Sequence, residues 1–391
     1  MKVKISAKNL KSATNSIAAL QKLGVKVKEE QLRCLFTVKD NVLLVEAAHM
    51  GAFLRKRIDC TVLRSGQFGM NLKNLKMARL GGEVTVDYQN GVVSFSTKKV
   101  KFELPTDQEA SASVNGARPE EGIKSDIQVM VKSSIIRAAA NSVSLQPGLK
   151  EEDLSMQFRF GKAKKGGGKM EVVGADHFSF GRYLRVSKDI QVKEGIGFSI
   201  LSSAISTILD EADGEKVGVG SGGMQPGSVA RFKSKDTEIF FPTIAGKLLD
   251  CERVARDARD GRFGGSFVCE RKQLANTVTS VIQVLGGKDF PVLYLTIGKN
   301  VQMRARAGSG SLGKALVEAQ QLKLGKEKPH TLTINEKYLS DILKRTPEVV
   351  PIRIESWNGK HVLLEAEKIE DGLIQFFMAQ VTAEQLKEEA S

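Results

Sequence analysis

One unit recurs three times in this chain, and it limits the possible folds more than any other feature. At 4–22, KISAKNLKSATNSIAALQK follows the alternation of Val3 and Ile5 with Leu10, Ala13, Ile17 and Leu20 at helical spacing, leaving Lys8, Lys11, Asn15 and Lys22 on the other face. This spacing predicts a strand feeding an amphipathic helix with a basic polar face. The unit returns around Val131 as VMVKSSIIRAAANSV and around Cys269 as SFVCERKQLANTVTSV. Ile5 to Leu10, Val131 to Ile136 and Cys269 to Leu274 each span five residues. A second helix recurs with the same step: Met70 to Leu75, Ile200 to Ile205, Ile334 to Leu339.

Between the two helices of the first third, LRCLFTVKDNVLLVEAAH and AFLRKRIDCTVL alternate as antiparallel strands, and Asn90-Gly91 sits between two further alternating runs as a hairpin turn. Each third therefore reads as two β-α-β-β-β-like halves, an α+β architecture. The 391 residues suit three domains, placed at 1–115, 124–256 and 264–382, with a polar tail at 383–391. The cuts fall in 107–124, which has no periodicity, and in the charged, glycine-rich stretch 255–265.

Charge narrows the class of partner. There are 59 Lys and Arg against 45 Asp and Glu, a net charge of +14, more than half of it in the first 120 residues. Such an excess favours a polyanion. Aromatic residues make up only 6%, with Trp357 the single tryptophan, so backbone phosphate is a better expected contact than stacked single-stranded bases. The basic residues recur on the repeated helices: Lys8, Lys11 and Lys22; Lys73, Lys76 and Arg79; Lys132 and Arg137; Lys272; Lys337 and Lys344. The second helix of the middle third, SSAISTILDEADG, lacks them. No apolar run reaches the ~18 residues of a membrane span and no signal peptide stands at the start, which predicts a cytoplasmic protein without membrane contact.

Catalytic signals are weak. Gly308 to Lys314 fits G-x4-G-K, but Ala315 stands where a phosphate-binding loop needs a Ser or Thr for magnesium, so a glycine-rich hairpin is the better reading. The histidines at 49, 177, 330 and 361 share no helix face. Cys34, Cys60, Cys251 and Cys269 show no C-x-x-C pairing and read as free thiols. No metal, cofactor or catalytic residue is expected. The basic stretch 162–169, KAKKGGGK, reads as a hairpin tip.

Four segments carry a resemblance. VVGADHFSFGRYLRV at 172–186, FFPTIAGKLLDCERVA at 240–255, LTINEKYLSDILKRT at 332–346 and the closing GLIQFFMAQVT are similar, in order and spacing, to conserved strands and helices of the bacterial sliding clamps, the beta subunits of DNA polymerase III. The resemblance covers nearly the whole chain. It implies a head-to-tail homodimeric ring with helices lining a hole for duplex DNA and antiparallel sheets outside, a non-enzymatic processivity factor loaded by a separate ATPase. The strongly basic charge and the ending Ala379-Gln380-Val381-Thr382 depart from the cellular pattern and suggest a divergent member, such as one encoded by a bacteriophage.

On that resemblance the repeated lysines and arginines face DNA. A peptide pocket for polymerase and clamp loader forms between the second and third domains from Leu154, His177, Phe180, Leu249, Arg253, Val254, Phe376 and Met378, with core packing an equal alternative for Phe376. The subunit interface joins Phe102 and Leu104 to Val281 and Ile282. Two other readings stay open: a nonspecific duplex-binding platform for transcription or repair, and a nucleotide hydrolase using Gly313 and Lys314.

Overall fold

The computed structural model describes residues 1–23, 27–77, 80–119, 126–143, 155–164, 166–175, 179–211, 216–222, 227–259, 262–283, 292–306, 312–326, 329–346, 350–357, 361–369 and 372–379. The first repeat runs β1 (Lys2–Ser6), α1 (Ala7–Leu20), β2 (Arg33–Lys39), β3 (Val42–His49), β4 (Ala52–Asp59), β5 (Thr61–Arg64), β6 (Gly66–Asn71), α2 (Leu72–Met77), β7 (Glu83–Gln89), β8 (Val92–Ser96) and β9 (Lys101–Pro105), followed by α3 (Glu109–Gly116). The second has the same order: β10 (Val129–Lys132), α4 (Ser133–Val143), β11 (Ser155–Lys162), β12 (Gly168–Ala175), β13 (Ser179–Ser187), β14 (Ile190–Val192), β15 (Ile196–Leu201), α5 (Ser203–Glu211), β16 (Lys216–Ser221), β17 (Val229–Lys233) and β18 (Thr237–Pro242), then α6 (Cys251–Arg259). The third comprises β19 (Phe263–Glu270), α7 (Arg271–Gln283), β20 (Val292–Ile297), β21 (Val301–Arg306), β22 (Leu312–Val317), β23 (Gln321–Leu324), β24 (His330–Asn335), α8 (Glu336–Arg345), β25 (Pro351–Trp357), β26 (His361–Ile369) and β27 (Gly372–Ala379).

Local chemistry explains these elements. Ser6 caps α1 by accepting a hydrogen bond from the Asn9 amide at 3.1 Å, and Asn335 caps α8 by accepting from the Lys337 amide at 2.9 Å. Asp40-Asn41, Met50-Gly51 and Asn90-Gly91 all take positive φ at both turn positions, the geometry that matches hairpin twist.

The two halves of each repeat exchange their first strands. In the first repeat β1 leaves β2–β4 and joins β7, β8 and β9, while β6 joins β2, giving a five-strand block β5-β1-β7-β8-β9 and a four-strand block β6-β2-β3-β4. The other repeats divide identically. Blocks from successive repeats then fuse: β18 pairs antiparallel with β4, and β27 with β13, making two nine-stranded sheets among the described residues. The five-strand block of the first repeat ends at β9 and the four-strand block of the third ends at β22, each without a strand beyond it among the described residues.

Alternation along the strands sorts the apolar residues to two faces. Cys34, Phe36, Val172, Leu364 and Phe376 point into the main core beneath α1, α2, α4, α5, α7 and α8. Leu35, Phe53 and Phe240 point to the opposite face, under Val114 of α3; Val173, Phe180, Leu363 and Phe377 do the same under Cys251 and Ala255 of α6. Both expected linkers thus contain helices laid across a sheet joint. A short helix with only Ala110 and Val114 buried, and no side-chain cap, gives little periodic signal; its docking comes from Arg33 ion-paired with Asp107 and Glu109, and from Arg118 ion-paired with the fully buried Glu46. The tail at 383–391 lies outside the described residues.

Candidate DNA-facing surface and partner groove

The helices beneath the sheets form one row. Its neighbours in order are α2, α1, α5, α4, α8 and α7. Thr207 on α5 donates to the Ala19 carbonyl of α1 at 3.2 Å, Arg345 on α8 donates to the Asn141 carbonyl of α4 at 3.4 Å, and Arg271 on α7 donates to the Leu343 carbonyl of α8. Each helix buries its apolar face on the sheets and turns its polar face away from them. Those polar faces therefore share one side of the molecule.

Lys8 and Lys11 on α1, Arg137 on α4, Lys272 on α7, and Lys337 and Lys344 on α8 are exposed on that side, and Lys22 is exposed just past the end of α1. Among the described residues no carboxylate pairs with Lys8, Lys11, Lys272 or Lys344. The other cations differ. Lys73 lies 2.9 Å from Glu30 and Lys76 pairs with Glu29, so α2 presents two neutralised pairs. The Lys73 ammonium pulls the Glu30 carboxyl below its usual range, and Glu30 raises Lys73 in return. Lys132 sits at the end of β10, not on a helix, and pairs with Asp189 at 3.0 Å. Arg79 lies outside the described residues. Polar neutral groups fill the gaps: Asn15, Asn141, Asn276, Thr279 and Ser280 are all exposed.

On the opposite face, α6 closes over the β13–β27 joint. Asp250 accepts from the Arg253 amide at 3.0 Å, capping the helix, and that bond holds the Asp250 carboxyl below its ordinary range. Leu249 is fixed just before the helix: its amide donates to Gln157 Oε1 at 2.7 Å and its carbonyl accepts from Arg159. Arg182 of β13 donates to Glu171, to Gln375 of β27 at 3.1 Å and to Glu252 of α6 at 3.1 Å, tying three elements with one buried guanidinium. Burial in this cluster pushes the Cys251 thiol up to about 12.

This face brings together Phe180, Leu249 and Val254 of the expected pocket, with Arg253 exposed at its margin. Phe376 and Met378 are on the other side of the sheet, in the main core, because residues one apart on a strand face opposite ways. Phe377 occupies the outer side instead, stacked on Phe180 with ring centroids 4.6 Å apart. Leu154 and His177 lie outside the described residues. Val173, Cys251, Ala255 and Leu363 complete the cluster and were not expected from sequence; the adjacent Phe376-Phe377 pair was the available signal, since only one of two neighbouring strand residues faces outward.

No family model matches the chain, and no curated protein does. Solved structures do. A DNA polymerase III beta subunit from Eubacterium rectale matches with a TM-score of 0.76 at 14% identity, over 98% of this chain and 100% of its own. This chain has the beta-clamp fold. A beta subunit from Thermotoga maritima matches at TM-score 0.74 and 16% identity over 97% of this chain and 99% of its own. A Helicobacter pylori beta clamp, solved bound to a DNA ligase peptide, matches at TM-score 0.69 and 17% identity over 98% and 100%.

Within the clamp fold, the expected edge residues sort by face. Phe102 and Leu104 on β9 point to the helix side, opposite Phe95 and Val93. Phe102 is 38% exposed. Val281 is a core residue at 1% exposure and its carbonyl backs directly on Gly313, so it is no interface residue; Ile282 beside it is half-buried. Leu312 and Leu316 on β22, at 52% and 61% exposure, are the exposed apolar side chains of that edge. Gly313 and Lys314 are strand residues paired with Ala305 and Arg304, where a phosphate-binding loop would start a helix.

Proposed function

We propose that this protein is a DNA sliding clamp: a closed ring of head-to-tail copies around duplex DNA that tethers polymerase and other replication proteins. The observation that carries the reading is the pair of complementary edges. Inside the chain, a five-strand block has twice joined a four-strand block, through β18 with β4 and β27 with β13. The five-strand block ending at β9 and the four-strand block ending at β22 are one unmatched half of each kind. A second copy supplies both missing halves, so that β9 and β22 are no longer edges, as cyclic closure demands.

Strand registers support a particular contact. Pro105 pairs with Val92 as Pro242 pairs with Val229, which makes Glu103 the counterpart of Phe240. With Ile334 equivalent to Ile200, Leu293 matches Met156 and Ala305 matches Gly174; Ala305 pairs with Gly313 as Gly174 pairs with Gly181, which makes Leu312 the counterpart of Phe180. The joint then sets Glu103 of one copy opposite Leu312 of the other, and lays Phe102 against the end of α7 near Ile282.

In that ring the helix row faces inward. Unpaired Lys8, Lys11, Lys272 and Lys344 attract phosphate without reading sequence, and the neutral Asn, Thr and Ser side chains between them leave the hold weak enough for sliding. Topology supplies retention. The groove over Phe180 and Phe377 receives partner peptides, as the Helicobacter pylori clamp receives a ligase peptide. The chain itself performs no chemistry; ring opening is the work of a separate loader ATPase.

The test is solution mass over a range of concentrations, then retention on circular DNA before and after linearisation, with a loader supplied. A closed oligomer that survives high salt on circles and runs off linear ends supports the clamp. A monomer whose binding ignores topology overturns it.

A further inference from the structure

On the outer face of the third repeat, opposite the helix row and beginning two strands beyond β27, lies a hollow of about 390 Å³ lined by residues of β19, β23 and β25. That volume is at the lower end of the ~300–1,000 Å³ typical of ligand pockets. Its floor is Ser266 and Val268, its rim Gln321, Lys323, Arg353 and Glu355, and its end wall Phe263 and Trp357, whose ring centroids are 4.9 Å apart.

Comparison of the repeats shows where the space comes from. Counting back from each first helix, Ile5, Val131 and Cys269 are equivalent inward residues, so Val268 corresponds to Lys4 and Met130, and Ser266 to Lys2 and Gln128. In the first repeat both lysines reach across the sheet face, Lys2 to Asp87 at 3.1 Å and Lys4 to Glu83 at 3.5 Å. Only the third repeat has two short side chains there, beside the chain's one tryptophan.

We propose that this hollow is a docking site for an extended acidic peptide carrying one planar apolar side chain. Charge selects the occupant. Glu355 is already held by Arg259 at 3.7 Å and by the Trp357 indole, which donates to it at 3.4 Å. Lys323 is exposed and pairs with no carboxylate among the described residues. An anionic chain is therefore attracted and a cationic one repelled. The rings of Phe263 and Trp357, tilted 58° to one another, form an angled aromatic wall against which an aromatic side chain can pack over the Val268 floor. β23 also ends its sheet among the described residues, so one edge of its backbone can take a peptide strand whose alternate side chains point into the hollow. The site does not depend on ring closure.

Because Trp357 is the only tryptophan, its fluorescence reports this site alone. Titration uses a capped Asp-Asp-Phe-Asp-Asp peptide, the same peptide with Ala for Phe, and the same peptide with Lys for every Asp. The acidic Phe peptide should give a saturable change in Trp357 emission, at least tenfold weaker for the Ala and Lys peptides. Lys323→Glu, on an exposed side chain, should weaken it at least tenfold with thermal unfolding unchanged; Val268→Phe should abolish it by filling the floor. No response up to millimolar peptide, or equal responses to the acidic and basic peptides, overturns the proposal. Retention on circular DNA reads the ring and is indifferent to Lys323, so the two readings fail separately.

Discussion

Phe180 of β13 stands directly opposite Phe377 of β27, the two rings stacked 4.6 Å apart on the outer face of the joint between the second and third repeats. Phe53 of β4 stands in the same relation to Phe240 of β18 at the other internal joint, 6.2 Å apart. One register thus seals both joints with an aromatic pair. The joint proposed between copies would have Glu103 and Leu312 at those positions. The two seams within the chain are aromatic, and the proposed seam between copies, which a loader would open, is not.

The two neighbouring phenylalanines of β27 separate stability from recognition. Phe377→Ala and Phe376→Ala each remove a buried ring and should each destabilise the fold by about 3–5 kcal/mol. Only Phe377 lies on the outer face, beneath α6, where partner peptides are proposed to dock. Binding of a partner peptide, followed by fluorescence polarisation at a temperature where both variants remain folded, should fall for Phe377→Ala and persist for Phe376→Ala.

At the seam proposed between copies, Leu312→Glu would place a carboxylate opposite Glu103. Self-association should weaken at least tenfold by analytical ultracentrifugation, with the unfolding transition of the single chain unchanged because Leu312 is already 52% exposed. Val281→Ala, in the core, should do the reverse: lower stability by about 1–3 kcal/mol through a cavity, with association affected only as the fold is.

Cysteine reactivity reports the docking of α6. Burial raises the thiols of Cys251 and Cys269 to about 12 and moves Cys34 up as well. The thiolate is the reactive form, so at pH 8 only about one in 10,000 of the Cys251 thiols is ionised. The folded pKa lies above the free-thiol value, so folding favours the protonated form, and that contribution to stability fades as pH rises from about 8.5 toward 12. Ellman's reagent at pH 8 should label the partly exposed Cys60 quickly and the other three only on unfolding. Glu252→Ala, which removes the Arg182 bond to α6, should make Cys251 the next to react.

Much of this architecture was legible because repetition amplified weak signals. Five-residue steps from Ile5 to Leu10 and its counterparts placed α1, α4 and α7 correctly, and Asn90-Gly91 marked a true hairpin. Reading failed where tertiary contacts decide. The helix α3 rests on two small buried residues and on distant ion pairs such as Arg118 with Glu46, which no local pattern encodes. The helix α6 buries Cys251 and Ala255 under a charged surface, so its sequence resembles a linker. Phe376 and Val281 were assigned to sites by position, whereas strand parity and helix burial turn both to the core. Lys73 and Lys76 looked like free cations because Glu29 and Glu30, more than 40 residues earlier, are brought to them only by folding.

That last pairing makes the proposed DNA-facing surface testable in detail. A free lysine near DNA releases about one counterion on contact, so each lost phosphate contact lowers the slope of log K against log salt by about 0.9. Lys8→Ala with Lys11→Ala removes two unpaired cations and should reduce the slope by nearly two. Lys73→Ala with Lys76→Ala removes cations already matched by Glu30 and Glu29, exposing two carboxylates to the same surface. The affinity should then drop through repulsion, yet Glu29→Gln with Glu30→Gln in the same chain should restore it to the wild-type value. Affinity measured on short linear duplex at several salt concentrations distinguishes the two sets. Equal slope changes for both lysine pairs would mean that the ion pairs of α2 break on DNA and that Lys73 and Lys76 contact phosphate directly.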